Sequence, residues 1–271
     1  AAGFSFTPND NGSYVVSLRV TDDDGDHGDA AAKTIAVTNV APNITAASFA
    51  NGGTAACPAL GALSNATLNV SFADPGSADT WNAEIDWEYD GTFVADETKF
   101  NVGTSFSAEH LYTTNGVHVA AVRISDDDGG GSAASSGIQL RVLYNLSAIL
   151  APFNPDGTSV WKFGSTIPVK VRITDCMGDP VAGLAPQVGW SLSSSHAPSD
   201  AISETASTSA ADTTGVMRYD AFAGQYIYNF ATKNLPDGNA TYYMYVRGKD
   251  TTGVLVTNPA QVNQKFGIRT K

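Results

Sequence analysis

A stretch of 14 residues has a second, similar copy further along this chain, and that internal repeat constrains the fold more than any other feature. Residues 11 to 24 read NGSYVVSLRVTDDD, and residues 115 to 128 read NGVHVAAVRISDDD. The offset from Asp22 to Asp126 is 104 residues. That period is the size of one β-sandwich module and far longer than a solenoid repeat. The repeat therefore predicts tandem modules of about this length.

The residues inside the repeat predict a strand that ends in a tight turn. From Tyr14 onwards every second residue is apolar, while Ser17 and Arg19 interleave. This period of two is typical of a half-buried β-strand. The aspartates and a glycine follow where the strand ends, and both residue types suit a turn because Asp bonds its own backbone and Gly accepts positive φ. This interpretation needs no ligand.

Composition and charge favour an exported, all-β chain. The 26 glycines and 12 prolines are spread along the sequence, and short alternating runs recur between turn signals. No apolar run approaches 18 residues, so no membrane span is expected. The net charge of −12 opposes binding to nucleic acid or anionic lipid and favours divalent cations.

The repeat also predicts where modules begin and end. Residues 1–40 end within the linker-like TNVAPN at 38–43, so they are expected to be the C-terminal part of a module that lacks roughly 60 residues. Residues 41–144 are expected to form a complete module. The partial module would leave apolar strand faces open to water, and upstream modules or a neighbouring copy of the chain would complete it by strand or edge contacts. Its apolar residues are Phe4, Phe6, Tyr14, Val16, Leu18, Val20, Ile35 and Val37.

Residues 1–144 resemble the PKD domain, an immunoglobulin-like sandwich repeated in bacterial surface proteins and secreted hydrolases. The resemblance rests on Asp74-Pro75-Gly76, on Trp87 ahead of Asp90-Gly91, on His110-Leu111-Tyr112 and on the paired DDDG sequences. It departs at Trp87-Glu88-Tyr89-Asp90-Gly91, which is shorter than the family's Trp-Asp-Phe-Gly-Asp-Gly, and at His118, which replaces the aromatic residue seen at Tyr14. The resemblance implies an immunoglobulin-like fold with Trp87 in the core.

Residues 145–271 resemble the PxKF module found at the carboxyl ends of large bacterial surface proteins. The matching segments are GSTIPVK at 164–170 and MRYDAFAGQYIYNFATKNL at 217–235, and Val171 stands where the family has Phe. This resemblance implies another β-sandwich and a surface setting, but no chemistry. The predicted fold class is thus all-β, with tandem immunoglobulin-like β-sandwiches.

The immunoglobulin-like topology places two acidic loops of the second module at one pole. The B–C and F–G loops both lie where the chain enters such a domain, close to the linker at Asn39. Carboxylates gathered there repel one another unless water or a cation separates them, and Ca²⁺ takes six to eight oxygen ligands from such clusters. Calcium and a solvated turn therefore both remain open. The candidate ligands are Asp74, Asp79, Asp126, Asp127 and Asp128, with a second acidic loop at Asp22, Asp23, Asp24 and Asp26.

The same topology predicts a disulfide between the two cysteines of the chain. Cys57 lies between strands A and B of the second module, at its exit pole, and Cys176 follows strand B of the third module, where the chain enters it. Because consecutive modules meet at those poles, and because exported proteins with two cysteines commonly pair them, a Cys57–Cys176 bond is expected to clamp the two modules together. Two free, half-buried thiols are the alternative.

No catalytic constellation stands out in the sequence. The four histidines are scattered, and no metalloprotease motif or nucleophile elbow is present, so a non-enzymatic protein is expected. Two functions fit. One is an extracellular structural or adhesive region of a cell-surface protein, such as a stalk, surface layer or filament subunit. The other is an accessory region of a secreted hydrolase that binds polysaccharide, with Trp81, Trp161 or Trp190 as sugar platforms, although packing is favoured for each.

Overall fold

The computed structural model describes residues 3–57, 64–201, 203–204, 212 and 215–270. Nearly all of its regular structure is β-strand, as the sequence predicted. Among the described residues, a short 3-10 turn occurs at Thr232–Asn234, and the tight turn at Ala50–Gly53 has left-handed backbone at Asn51 and Gly52. Within the described residues, no helix has the length and apolar character that crossing a membrane requires. The strands are β1 (Gly12–Leu18), β2 (Ala31–Val37), β3 (Asn43–Phe49), β4 (Thr54–Ala56), β5 (Ser64–Ala73), β6 (Trp81–Asp86), β7 (Glu97–Val102), β8 (Ser105–Tyr112), β9 (Gly116–Asp126), β10 (Ser135–Leu146), β11 (Val160–Lys162), β12 (Thr166–Val171), β13 (Ile173–Thr174), β14 (Gln187–Ser191), β15 (Ser203–Glu204), β16 (Arg218–Asp220), β17 (Gln225–Ala231), β18 (Thr241–Arg247), β19 (Thr257–Asn258) and β20 (Gln261–Arg269).

The chain divides into two compact units. The first comprises Ala1–Gly53, Thr67–His110 and His118–Leu140, and the second comprises Thr54–Ala66, Leu111–Val117 and Arg141–Lys271. This division follows spatial contacts and does not test the predicted boundaries at residues 40 and 144, which stay predictions.

The first unit contains an immunoglobulin-like sandwich preceded by a hairpin. One sheet has the order β3-β5-β8, and the facing sheet contains β7-β6-β9-β10. This is the A-B-E and C′-C-F-G arrangement of an immunoglobulin-like domain. Its core includes Leu68, Ile85, Val122 and Ile124, which alternate with outward residues along their strands. Trp87 is buried among them, so the prediction that it packs in the core is confirmed.

The hairpin of the first unit is formed by β1 and β2, which pair antiparallel from Gly12 with Val37 to Leu18 with Ala31. The predicted strand is present. The predicted half-burial holds for Tyr14 and Val16, which are partly buried, but not for Leu18 and Val20, which are each 67% exposed. By the repeat, β1 and β2 correspond to β9 and β10. In the described residues they pair only with each other, so each presents a free edge.

The second unit contains another immunoglobulin-like sandwich. One sheet has the order β11-β20-β18-β14-β15, with β11 parallel to β20, and the other has the order β12-β17-β16. Along β12, Ile167, Val169 and Val171 point inward. Pro168 is tolerated there because β12 is an edge strand with no ladder bond to donate on its free side. Within this unit, residues 141–146 of β10 pair with β4, β13 and β19.

Tyr242 forms a tyrosine corner in the second unit, near the start of β18. Its hydroxyl donates to Asp237 O at 2.8 Å and accepts from Asp237 N at 2.9 Å. Tyr14 at the start of β1 makes a related bond, donating to Asp10 O at 2.9 Å. A Tyr near the start of strand F that bonds the backbone upstream is a hallmark of immunoglobulin-like sandwiches.

Candidate metal centre

The aspartate-rich turns share one geometry, which recurs four times. In each turn the first Asp donates its backbone N–H to the carbonyl four residues later at 3.0 Å, while its Oδ1 accepts from that residue's N–H. The fourth residue is a glycine with φ between 88° and 96°. Such three-residue hairpin loops combine a type I turn with a left-handed glycine. The four Asp/Gly pairs are Asp22/Gly25, Asp126/Gly129, Asp175/Gly178 and Asp250/Gly253.

The second predicted acidic loop adopts this turn. Asp22 holds the turn through its carboxylate, which accepts from Asp26 N at 2.8 Å. Asp23, Asp24 and Asp26 are exposed to solvent. None of the carboxylate groups close enough to share an ion among the described residues includes any of these four aspartates.

Five other aspartates of the first unit do come together. Carboxylate oxygens of Asp74, Asp79 and Asp126 all lie within 4.8 Å of one another, and the same is true of Asp10, Asp79 and Asp128. Asp79 is common to both groups. We call these five residues the acidic cluster. Asp74 and Asp79 come from the loop between β5 and β6, Asp126 and Asp128 from the turn after β9, and Asp10 from the segment before β1.

Hydrogen bonds on its outer side hold the acidic cluster in place. Asp74 Oδ1 accepts from Gly76 N at 2.9 Å, and its Oδ2 accepts from Trp81 Nε1 at 3.1 Å. Asp126 Oδ1 accepts from Gly130 N at 2.6 Å, and its Oδ2 accepts from Asn39 Nδ2 at 2.8 Å. Both carboxylates keep lone pairs for a further partner, because an ionised carboxylate offers about four acceptor sites.

Two glycines allow the backbone to approach these carboxylates. A Cβ at Gly76 would overlap Asp79 Oδ2, and a Cβ at Gly130 would overlap Asp126 Oδ2. The "DPG" and "DDDGG" sequences thus supply both the acidic groups and the space that they need. Any larger side chain at either position would displace a carboxylate of the acidic cluster.

Asp79 has the least favourable surroundings for a negative charge. It is 7% exposed, and its Oδ1 is buried without a hydrogen-bond partner among the described atoms. Burial, followed by the neighbouring charges of Asp10, Asp74 and Asp126, raises the pKa of Asp79 from 3.8 to about 6. At neutral pH this carboxylate is therefore largely charged and poorly solvated.

Asp127 lies outside the acidic cluster. Its Oδ1 accepts from Thr80 N at 2.9 Å, and that backbone hydrogen bond lowers the pKa of Asp127. Asp10 is the residue that the sequence interpretation missed. The repeat and the sandwich topology contain a signal for it, because Asp10 lies just before Gly12, which pairs with Val37 at the end of β2, where the linker begins.

The predicted disulfide is formed. Cys57 and Cys176 are bonded, with their Cα atoms 5.3 Å apart across a sequence separation of 119 residues. Both sulfurs belong to the second unit, where Cys57 follows β4 and Cys176 follows β13. Asn115 contacts both sides of the bond: its Oδ1 accepts from Cys176 N at 3.0 Å, and its Nδ2 lies 3.7 Å from Cys57 Sγ.

The four tryptophans pack against other aromatic rings. Trp87 stacks on His110 with ring centroids 4.8 Å apart, and Trp81 meets Phe72 edge-on at 5.5 Å. The remaining two contact core rings of the second unit: Trp161 lies 4.6 Å from Phe153, and Trp190 lies 5.5 Å from Tyr242. Trp81, Trp161 and Trp190 are half-buried, so their surfaces are partly used in packing.

Comparisons with known proteins found similarity at the level of solved structures. No protein-family model matches the chain, and no curated protein matched it. Similar structures include a PKD domain of an M14-like peptidase from Thermoplasmatales archaeon SCGC AB-540-F20, at 19% identity over 39% of this chain and 98% of that one, with a TM-score of 0.27.

Two adhesins are also among the similar structures. The Escherichia coli adhesin FdeC is 16% identical over 93% of this chain and 74% of its own, with a TM-score of 0.31. The Yersinia pseudotuberculosis adhesin InvE is 14% identical over 83% of this chain, with a TM-score of 0.33. This chain covers 60% of InvE, which is less than two thirds of its length. The resemblance of residues 145–271 to PxKF modules stays a prediction.

Proposed function

We propose that this chain is a non-enzymatic, extracellular structural region of a bacterial cell-surface protein, such as a stalk, surface layer or filament subunit. In this role its immunoglobulin-like sandwiches act as load-bearing spacers. The observation that carries the proposal is the Cys57–Cys176 disulfide, which closes a separation of 119 residues inside a compact β-unit.

The disulfide supports both the location and the mechanical role. Disulfides persist in oxidising compartments and are rare in the cytosol, so a buried structural disulfide favours an exported protein. Cys57 and Cys176 are both buried. Under tension the Cys57–Cys176 bond carries the force. Residues 58–175 therefore cannot extend while the disulfide is intact.

The packing of the tryptophans favours this role over a carbohydrate-binding one. A sugar platform needs a broad aromatic face open to solvent, whereas each indole here lies against another ring. The accessory polysaccharide-binding role is therefore the second candidate.

The partners in this proposal bind at the hairpin. Within the described residues, strands β1 and β2 each have a free edge. Exposed apolar side chains on β1 or just before it include Phe4, Val15 and Leu18. A strand from a neighbouring copy of this chain adds to such an edge through backbone hydrogen bonds and covers the apolar residues.

Single-molecule force extension of the 271-residue chain, held at its termini, tests the mechanical role. With the disulfide intact, complete unfolding should release a contour length shorter by roughly 400 Å than under reducing conditions, because each extended residue spans about 3.3–3.6 Å. The variant Cys57→Ser/Cys176→Ser should give the long extension with or without reductant. Identical extensions of the unreduced and reduced protein would contradict the proposal.

Sedimentation with insoluble cellulose and chitin tests the alternative. The structural role predicts that the folded chain stays in the supernatant. Retention that is lost in Trp81→Ala, Trp161→Ala or Trp190→Ala would establish polysaccharide binding and overturn the proposed function.

A further inference from the structure

We propose that the acidic cluster is a Ca²⁺ site with Asp79 as its central ligand, and that the ion fastens the segment before β1 to the loops of the sandwich. The other ligands are the carboxylates of Asp10, Asp74, Asp126 and Asp128. This inference concerns the first unit and does not depend on the proposed extracellular role.

The buried oxygen of Asp79 is the observation that points to a ligand. Asp79 Oδ1 is sequestered from solvent and accepts no hydrogen bond among the described atoms. A buried acceptor without a partner costs roughly 1–3 kcal/mol, and more when it is charged. Asp79 also belongs to both groups of carboxylates whose oxygens lie within 4.8 Å of one another. A cation beside Asp79 provides a partner for Oδ1. The same cation reduces the repulsion between the neighbouring carboxylates.

Among the described residues, no Lys, Arg or His forms an ion pair with the acidic cluster. The ion pairs among the described residues join Lys99 to Glu97, His118 to Glu88, Arg123 to Glu84 and Arg218 to Asp212. None of them involves the acidic cluster. Five carboxylates therefore meet without a Lys, Arg or His partner, an arrangement that is expensive unless a bound ion supplies the charge.

The donor set selects the type of ion. All the candidate ligands are carboxylate oxygens, and neither group contains His or Cys. The acidic cluster therefore lacks the nitrogen and sulfur ligands that Zn²⁺ prefers. Ca²⁺ accepts six to eight oxygens in flexible geometry, whereas Mg²⁺ demands a near-ideal octahedron and retains several waters. A cluster of many carboxylates carried by three separate loops matches Ca²⁺ better.

Asn11 adjoins two of the carboxylates and fits the same site. One terminal atom of its amide lies 2.6 Å from Asp10 Oδ1 and 2.9 Å from Asp128 Oδ2. With nitrogen at this position, the amide donates to both carboxylates. These two hydrogen bonds hold Asp10 and Asp128 beside each other.

A cavity gives an ion access to Asp79. Its volume is about 250 Å³, and its lining includes Asp10 and Asn11, residues 37–40, and Pro75, Gly76 and Asp79. The walls thus come from the segment before β1, from the end of β2 with the linker, and from the loop between β5 and β6. A hydrated ion can enter here and exchange its waters for carboxylate oxygens.

Asp10 is the ligand through which a bound ion would connect the segment before β1 to the sandwich loops. Asp10 belongs to the segment before β1, whereas the other four ligands belong to the sandwich loops. The backbone bond from Ala78 N to Asn9 O, at 3.0 Å, joins the same two segments. Ca²⁺ binding should therefore tighten this contact, and the hydrogen-exchange protection of the Ala78 amide should rise when the ion is added.

Terbium luminescence and thermal unfolding of the full chain test the site. Tb³⁺ substitutes for Ca²⁺, and Trp81 can sensitise its emission because Trp81 Nε1 lies 3.1 Å from Asp74 Oδ2. We expect Trp-sensitised emission that Ca²⁺ displaces and Mg²⁺ displaces poorly. Calcium at a hundredfold excess over its Kd should raise the Tm of the chelated protein by roughly 5 to 10 °C.

Three variants assign the effect to the acidic cluster. Asp79→Asn should abolish the calcium-induced rise in Tm, and Asp10→Asn should weaken calcium binding roughly 10- to 100-fold. Asp22→Asn is the matched control, because Asp22 occupies the same turn as Asp126 but lies outside the acidic cluster. It should leave the calcium response unchanged.

Two results would overturn the proposal. One is the absence of any change in Tm or Tb³⁺ emission with calcium up to about 10 mM, which is roughly tenfold above the weakest dissociation constants of extracellular calcium modules. The other is a calcium response that survives in Asp79→Asn. Neither result would alter the force-extension difference between oxidised and reduced protein, so failure of the calcium site and failure of the structural role are distinguishable.

Discussion

Asn115 Oδ1 accepts a 3.0 Å hydrogen bond from the backbone N–H of Cys176, so one amide side chain is coupled directly to the disulfide. Its Nδ2 also donates to Leu143 O at 2.7 Å. By the 104-residue repeat, Asn115 corresponds to Asn11, whose amide lies between Asp10 and Asp128. The same repeated position thus adjoins a covalent crosslink in one unit and the acidic cluster in the other.

The first prediction concerns this amide. Asn115→Asp keeps the acceptor for Cys176 N but removes the donor to Leu143 O and places a carboxylate beside that carbonyl. We expect a loss of roughly 1–3 kcal/mol in the free energy of unfolding of the oxidised protein, because a partly buried acceptor loses its partner. Chemical denaturation measures it. Asn263→Asp on the exposed side of β20 is the control, and equal losses in the two variants would contradict the role of Asn115.

The second prediction concerns the tyrosine corner. Tyr242→Phe keeps the buried ring but removes both hydrogen bonds between its hydroxyl and the backbone of Asp237. The free energy of unfolding should fall by roughly 1–3 kcal/mol. Tyr243→Phe, at the half-exposed neighbouring position, should change it by less than about 0.5 kcal/mol. Comparable losses in the two variants would show that the corner does not stabilise the fold.

Some features of this molecule could be predicted because they depend on local pattern or on topology. The alternation after Tyr14 and the DDDG turn depend on side-chain period and on φ preference, and both are present at β1 and its turn. The pairing of Cys57 with Cys176 follows from the poles of immunoglobulin-like sandwiches. The gathering of Asp79 with Asp126 follows from the same poles.

Other features could not be predicted, because they depend on the direction of single side chains. Asp126, Asp127 and Asp128 are consecutive, yet only the middle one turns away, to accept from Thr80 N. The burial of Asp79 Oδ1 requires the close approach that Gly76 allows. Likewise, alternation cannot show how far along a strand its apolar face is covered: on β1 Tyr14 and Val16 are partly buried, whereas Leu18 is exposed.

The third prediction concerns the exposed hairpin. Because β1 and β2 have free edges beside exposed apolar side chains, the purified chain should self-associate as its concentration rises. Phe4→Ser, which removes an aromatic ring that is 80% exposed, should weaken this association measurably in light scattering. Phe222→Ser, at a fully exposed turn between β16 and β17, is the control. A chain that stays monomeric at all concentrations, with its hairpin resistant to protease, would refute the prediction.

The last prediction concerns the pH dependence of stability without divalent cations. The folded state raises the pKa of Asp79 from 3.8 to about 6, chiefly through burial and then through Asp10, Asp74 and Asp126. Between about pH 4 and pH 6 the folded protein therefore binds more protons at this site than the unfolded chain does. Stability then falls as the pH rises through this window, and the contribution of Asp79 levels off above it.

Thermal unfolding in chelator at pH 4 to 7 measures this effect, and Asp79→Asn isolates it. Other groups also titrate at mildly acidic pH. Burial lowers the pKa of His110, so its contribution to stability has the opposite sign and is lost as the pH falls. That contribution is common to both proteins, so the difference in Tm between Asp79→Asn and the parent chain should grow from pH 4 to pH 6 in favour of the variant. A Tm difference that does not change with pH would mean that burial and the neighbouring carboxylates do not raise the pKa of Asp79 in the folded state.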